Sequence, residues 1–483
     1  MLKKKTNDLT IKPKKKEKLI KLCISKFIDT KFRDYAVYVL ESRGIPNFYD
    51  ALTPVQRYIL KNAPTSFNKT LTLVGKSIAD GYHHGDSALS HAINKLTRPF
   101  GNAMQILEGD GFFGTEVSPA PAAARYTSVR ISPLINTIFN KYKYLTTREP
   151  EGPYDPLWMD VPIGLVSPIV GIAVGYKATI LPRKLKDIQD YLLGNRKSVK
   201  PYFDGFNGKI EKFKDLTNAW LISSNLIIEN NKILIREIPP IIRYESILKK
   251  LDFLINKYEN CIRIINNSNV KVNIDIIYTG KNKNEFDEIQ KFLEKMFSII
   301  VTESIIFIKD GNVLIYDSIE QYLDDYKWQI IRLKYKNIEY EKNKLDDDLN
   351  FNKVKEKFIE FILQKKRSNE ELDNWLKLYN KNITERIEAL VSRKFTIDEL
   401  KLTKELIKTL TNQLKDKENE LLISKKIYED YTDPTLLRGI QSKKVSVNLF
   451  DTDDITEDIS GIAIWNGNDI YDENDNELTN DDE

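Results

Sequence analysis

Ala122-Ala-Ala-Arg-Tyr-Thr-Ser-Val-Arg130 is the stretch on which the reading of this chain turns. Any one of the 24 tyrosines can be an ordinary packed or surface aromatic, and a tyrosine beside an arginine is unremarkable in isolation. The chemistry of the group is nevertheless coherent. A tyrosine hydroxyl can attack a phosphodiester and form a phosphotyrosine ester, which stores the bond energy for rejoining. With a free pKa near 10 it is a poor nucleophile unless cations stabilise the phenolate and the transition state. Arg125 is adjacent and Arg130 lies within reach in sequence, so Tyr126 is the candidate nucleophile.

Upstream, Gly81-Tyr-His-His-Gly-Asp-Ser-Ala88 precedes an expected helix, Asp86–Leu96. Asp86 or Ser87 can cap it, Ala88, Leu89, Ala92, Ile93 and Leu96 form one apolar face, and Pro99 lies just past its end. All three histidines, His83, His84 and His91, fall here. Adjacent His83 and His84 cannot share a face, which argues against a chelating pair. His84, at a helix start with free N–H groups, is placed either to meet a phosphate or as an incidental surface residue. Gly109-Asp-Gly-Phe-Phe-Gly114 has neither the Lys-Ser/Thr of a Walker motif nor a dinucleotide-binding frame, so it reads as a turn. No ATP-binding motif is visible anywhere.

At 483 residues the chain exceeds one compact domain; about 150 residues per domain suggests roughly three. Residues 1–30 read as a basic arm, with nine lysines up to Lys21 against only Asp8 and Glu17. Residues 31–150 mix short helices with turns. Residues 151–320 carry strand signals: Leu226-Ile-Ile and Ile233-Leu-Ile flank Asn230-Asn231 as a hairpin, and Val270-Lys-Val-Asn-Ile-Asp-Ile alternates like a half-buried strand. Residues 321–430 are helical. Ile407, Leu410, Leu414 and Leu421 make a coiled-coil-like seam, and a smaller helical unit falls near Ser368–Arg393 between two long antiparallel helices. Residues 431–483 form an acidic tail, expected to be disordered apart from a short strand within Ile459–Trp465. The last 33 residues hold thirteen acids and no Lys or Arg, so setting them aside turns a net charge of +4 into a body of +17. Such a body suits a polyanionic partner such as nucleic acid, though a merely solvated surface has the same signature. Cys23 and Cys261 are too few and too far apart for a disulfide framework or a zinc site, which fits a reducing cytoplasm. No apolar run approaches the roughly 18 residues of a membrane span, and the Lys-rich start lacks the apolar core of a secretory signal.

Taken together, these blocks resemble the breakage–reunion subunit of type II DNA topoisomerases, the gyrase A and topoisomerase IV A family, and within it the phage T-even-type medium-subunit branch. Ser42-Arg-Gly-Ile-Pro46 with Leu52-Thr-Pro-Val-Gln-Arg57 is similar to the family's Arg-Ala-Leu-Pro and Leu-Lys-Pro-Val-His-Arg stretches. Gly81–Ala88 is similar to Tyr-His-Pro-His-Gly-Asp-Ser-Ala, and Gly109–Gly114 followed by Ala122–Thr127 to Gly-Gln-Gly-Asn-Phe-Gly and Ala-Ala-Met-Arg-Tyr-Thr. Gly171-Ile-Ala-Val-Gly175, Arg236-Glu-Ile-Pro239 and the helix start after Tyr316 match as well, so the likeness covers roughly residues 32–430.

The resemblance implies a multidomain α+β fold: a winged-helix DNA gate, an α/β tower, and a long antiparallel coiled coil ending in a helical C-gate. It implies Tyr126 as nucleophile, Arg125 stabilising the transition state, Arg43 and His84 on the scissile phosphate, and Arg57, Ser87 and Arg130 in contact with DNA. Ile172 would be the wedge that bends the duplex, and Asp86–Leu96 the recognition helix. It implies no metal site on this chain, Mg²⁺ and ATP held by an ATPase/Toprim partner subunit, double-stranded DNA as substrate, and a homodimer closed at the DNA gate and C-gate. No membrane is implied, and the location is cytoplasmic, that of a bacterial host for a phage-encoded form. The pattern is departed from at Thr53 and Tyr58, which replace basic residues, at Tyr82, which replaces the first histidine, and at His91, which replaces an acidic residue. Without a wrapping domain after the coiled coil, relaxation and decatenation are expected rather than negative supercoiling.

Overall fold

The computed structural model describes residues 24–40, 44–145, 156–214, 216, 218–258, 261–364, 369–379, 381–430 and 463–465. The basic arm up to residue 23, Arg43, and most of the acidic tail therefore lie outside the described residues.

Two short helices, α1 (Ile24–Phe27) and α2 (Arg33–Val39), lead to α3 (Pro54–Asn62). Pro54 fits the first turn of α3, where its missing N–H costs nothing, and the Gln56 side chain accepts from the Thr53 N–H at 2.9 Å. β1 (Asn68–Lys69) passes directly into α4 (Thr70–Ala79), and α5 (Asp86–Thr97) follows. The helix expected over Asp86–Leu96 is thus present, with Leu89, Ile93 and Leu96 buried, while Ala88 is exposed. β2 (Leu107–Asp110) and β3 (Ser128–Ile131) complete an antiparallel sheet in the order β1-β3-β2, and α6 (Pro133–Asn140) ends this part.

β4 (Ile169–Ala173) and β5 (Tyr176–Ile180) form a hairpin, followed by α7 (Leu185–Leu192). Next come β6 (Lys209–Lys212), β7 (Ala219–Ser223), β8 (Leu226–Glu229), β9 (Lys232–Ile235), α8 (Tyr244–Lys257), β10 (Ile262–Asn266), β11 (Ile274–Tyr278), α9 (Lys283–Met296) and β12 (Ser298–Thr302). They build one sheet in the order β10-β11-β9-β8, backed by a core from α8 and α9, and a second in which β12, β7 and β6 are neighbours. The hairpin expected around Asn230-Asn231 is β8–β9, and Asn230 takes the left-handed backbone its turn requires, at φ 50°. The alternating stretch from Val270 becomes strand only from Ile274. Asn267 donates to the Asn273 carbonyl at 2.8 Å, so residues 267–273 close a connection instead, and Val270 is 60% exposed.

β13 (Ile305–Lys309) and β14 (Asn312–Tyr316) pair and feed α10 (Ile319–Gln364), a helix of 46 residues. After α11 (Asn369–Leu376) and α12 (Lys381–Glu388) the chain returns along α13 (Ile397–Asp430). The return is antiparallel: Tyr428 stacks on Tyr335 at 5.2 Å near the head, Lys417 pairs with Glu341 at 2.7 Å, and Lys404 with Glu360 at 2.9 Å toward the far end. There Val354, Phe358, Leu376 and Ile387 form a small core of their own. β15 (Ala463–Trp465), within the segment expected to form a short strand, runs parallel to β12 at the sheet edge.

One continuous core joins Phe48–Phe139, Leu157–Val199 and the head of α10. The hydroxyl of Tyr322 donates to the Phe48 carbonyl at 2.8 Å, and that of Tyr326 to the carbonyls of Tyr49 and Met159 at 2.8 and 2.9 Å, bolting α10 to the segment before α3. Among the described residues no helix is long and apolar enough to cross a membrane.

Candidate active site

Tyr126 is 67% exposed although it sits two residues before the half-buried strand β3. Its backbone is tied from two directions. Leu71 N–H, in the first turn of α4, donates to the Ala124 carbonyl at 3.2 Å, and Thr70 N–H to the Thr127 carbonyl at 3.0 Å. These are donors a helix start otherwise leaves open. From the other side Ala122 N–H donates to the Phe112 carbonyl at 3.0 Å, in the glycine-rich turn where Gly111 and Gly114 adopt φ of 111° and 86°. Of the Gly109–Gly114 stretch read as a turn, Gly109 and Asp110 belong to β2, and the rest serves as a brace for the tyrosine loop through the Phe112 carbonyl. The Arg125 guanidinium lies 5.0 Å from the centre of the Tyr126 ring, and Arg125 is exposed with no ion pair among the described residues. Further along the brace, burial raises the carboxyl of Glu116 above the usual carboxylate value, with the charge of Glu237 adding to the shift and Lys271 opposing it.

The remaining candidates separate into those that face outward and those that are committed inward. Ile172, in β4 opposite Lys177, is 59% exposed. Its hairpin is held by a close approach of backbones: a Cβ at Gly44 would lie 2.4 Å from the Ile172 carbonyl oxygen, and one at Gly171 only 2.1 Å from that of Gly44. The segment that begins at Gly44, directly after Arg43 in sequence, therefore rests on the Ile172 hairpin. Ser87 is exposed in the first turn of α5, and its N–H donates to the Asp86 carboxylate at 2.9 Å, so the positive end of the helix already carries an acidic group. His84 is half-buried, edge-on to Tyr82 with ring centroids 5.2 Å apart.

Arg57 does not match the expectation of a group held out to DNA. It is 5% exposed; its Nε donates to Asp50 Oδ2 at 2.7 Å and its Nη2 to the Leu52 carbonyl at 3.0 Å. Asp50 also accepts from the Leu52 and Leu157 N–H groups at 2.8 and 2.9 Å, so the ion pair organises buried backbone. Arg130 is intermediate. It sits opposite Glu108 in the β2–β3 ladder, pairs with that carboxylate at 2.6 Å, and lies 4.5 Å over the Phe67 ring. Sequence reading passed over both carboxylate partners, since Asp50 precedes Arg57 by seven residues and Glu108 precedes Arg130 by 22. It also passed over a contact between two departures from the family pattern: Tyr58 and Tyr82, both 7% exposed, pack edge to face at 5.8 Å. Among the described residues, no group of three or more His, Cys, Asp or Glu side chains is arranged to hold a metal ion.

Comparison with known proteins places these features in a family. The family model for the DNA gyrase/topoisomerase IV A-type subunit matches residues 43–436. The DNA topoisomerase medium subunit of Enterobacteria phage T4 is 29% identical over 205 residues, covering 39% of this chain and 46% of that protein. The DNA gyrase A protein of Borreliella burgdorferi is 26% identical over 428 residues, covering 79% of this chain and 49% of that protein. The chain thus spans about half the length of these curated relatives. The fold resembles the crystal structure of the Plasmodium falciparum topoisomerase II DNA-binding, cleavage and re-ligation domain, with a TM-score of 0.64 and 23% identity over 86% of this chain and 63% of that one.

Proposed function

The chain belongs to the DNA gyrase A/topoisomerase IV A family, and from that premise we propose that it is the DNA-cleaving and rejoining subunit of an ATP-dependent type II DNA topoisomerase, with Tyr126 as nucleophile. The observation that carries the reading is the exposed Tyr126 on a loop tied at both sides, with Arg125 over its ring and free of any described carboxylate. The Tyr126 hydroxyl attacks the scissile phosphodiester, loses its proton, and takes the phosphoryl group as a 5′-phosphotyrosine ester while the 3′-hydroxyl leaves. Attack by that hydroxyl on the ester reverses the step and restores both the DNA and the free tyrosine. Arg125 supplies positive charge where charge builds up in the transition state. His84 and Arg43 contact the scissile phosphate, and Ser87 lies on the recognition helix α5 of a winged-helix unit.

Ile172, exposed on a hairpin that close glycine packing stiffens, is the apolar wedge that bends the gate duplex. Arg57 is left out of the DNA-contacting set because its guanidinium is already paired; Arg130 contributes through the part of its side chain that Glu108 leaves open. Residues 31–150 act as the DNA gate, 151–320 as the tower, and 321–430 as a coiled coil whose helical far end closes a homodimer. Phosphoryl transfer of this kind uses Mg²⁺, and the metal and ATP belong to an ATPase/Toprim partner subunit. Double-stranded DNA is the substrate, the location is the cytoplasm of a bacterial host, and the output is relaxation or decatenation.

The test mixes the chain or its Tyr126→Phe variant with that partner, plasmid DNA and Mg²⁺, quenches with detergent, and measures protein covalently bound to DNA ends. Wild type should give adducts and Tyr126→Phe none, while folding and DNA affinity stay nearly intact, because one hydroxyl is lost and the ring kept. Adducts formed by Tyr126→Phe would move the nucleophile to another residue.

A further inference from the structure

The antiparallel ladder between β1 and β3 pairs Asn68 with Val129 and Lys69 with Ser128. Continued by one rung, it pairs Thr70 with Thr127. At that rung their hydroxyl oxygens lie 2.8 Å apart, with the residues 0% and 1% exposed, and Thr70 N–H donates to the Thr127 carbonyl at 3.0 Å. The rung falls where β1 turns into α4 and where the tyrosine loop turns into β3. Tyr126 is the first residue beyond it.

We propose that the Thr70–Thr127 hydroxyl pair positions Tyr126, a role that rests on the reading of Tyr126 as nucleophile. A side chain that is 67% exposed has little packing of its own to fix it, so its direction depends on the backbone from which it springs. Where that backbone enters β3 it is held by this rung, which fixes Thr127 laterally through the hydroxyls and along the chain through the N–H to carbonyl bond. The hydroxyl pair is sealed from water, so neither oxygen can exchange its partner for solvent, and the loop is denied the slack that an exposed pair would allow. Misplacement of a reacting atom by about 1 Å can cost about a hundredfold in rate, which makes a sub-ångström anchor worth keeping.

The pair can be removed without wrecking the fold. Replacing one threonine by valine leaves its partner's hydroxyl buried and unbonded, which destabilises; replacing both leaves two apolar groups of nearly the same shape, which is close to neutral for stability. The discriminating protein is therefore Thr70→Val/Thr127→Val, assayed with the ATPase/Toprim partner by single-turnover cleavage at increasing DNA concentration, beside its melting temperature. Positioning predicts a melting temperature and half-saturating DNA concentration like wild type, a cleavage rate down about tenfold to a hundredfold, and recovery of the rate in Thr127→Ser, which keeps the hydroxyl. A double variant that cleaves at the wild-type rate overturns the proposal. So does one whose melting temperature and DNA affinity fall together with cleavage, since the pair would then be holding the fold and not the nucleophile. A wild-type chain that yields no covalent adduct overturns the assignment of Tyr126 itself and is read before any variant is compared.

Discussion

Two kinds of arginine site lie in this molecule, and they differ in what stands opposite the guanidinium. Arg183 is wholly buried: Nη2 donates to Glu303 at 2.7 Å, Nε to the Val199 carbonyl at 3.0 Å and Nη1 to the Leu181 carbonyl at 2.7 Å. Glu303 in turn accepts from the Trp220 indole at 2.8 Å and the Leu181 N–H at 2.7 Å. Arg57 with Asp50 repeats the arrangement in the first part of the chain. Arg125 is the opposite case, exposed, over an aromatic ring, and without a described carboxylate. Family motifs put Arg57 and Arg125 in the same class of DNA-facing residues. The structure separates them by their partners: the Arg57 guanidinium is taken up by a carboxylate and a buried carbonyl, and the Arg125 guanidinium has no described carboxylate, as its proposed role on phosphate requires.

The sharpest way to break this contrast is to remove one member of each buried pair. Glu303→Ala and Arg57→Ala should each cost about 3–5 kcal/mol of stability, because an ion is left buried without its partner. Denaturant unfolding measures this, and an Arg57→Ala chain as stable as wild type would place Arg57 with Arg125 after all. Arg125→Ala should do the reverse, leaving the unfolding curve in place and slowing adduct formation by about 10²–10³. A change in stability with no change in cleavage would dissolve the contrast from the other side. The smallest effect is expected at Ile172, whose exposed side chain contributes little to folding. Ile172→Ala should shift stability by less than about 0.5 kcal/mol and weaken binding to duplex by no more than about tenfold, or 1.4 kcal/mol. Its signature is instead a straighter duplex, read by energy transfer between labels at the DNA ends; unchanged bending would remove the wedge role.

What could be read in the sequence follows the range of the interactions concerned. α5 announces itself through the 3.6-residue spacing of Leu89, Ile93 and Leu96, and the two long helices through a seam in which Leu410 is 9% exposed. The β8–β9 turn is carried by Asn230. Each of these signals is local. Period-2 alternation misled at Val270, because a two-residue pattern does not distinguish a strand from the connection that leads into it. The site divides in the same way. Tyr126 and Arg125 are neighbours in sequence and stay together in space, and Ile172, singled out through its motif, is exposed. The burial of Arg57, the Glu108 partner of Arg130 and the Thr70 partner of Thr127 were not legible, since each depends on segments 7, 22 or 57 residues apart meeting in space. The two tyrosines that depart from the family pattern, Tyr58 and Tyr82, looked like separate substitutions and are the two halves of one aromatic contact.

The bolting of α10 at its head has a mechanical consequence. The helix has 46 residues, and the part beyond Tyr322 and Tyr326, which the carbonyls of Phe48 and Tyr49 hold, reaches about 60 Å at 1.5 Å per residue. Clamped at one end and stiffened along its length by α13, it is a lever. A tilt of about 5° at the tyrosine clamp sweeps the far end through about 5 Å, the scale on which side chains engage or part. The leverage runs both ways: a partner that seizes the far end multiplies its force at the clamp, next to Asp50 and shortly before α3.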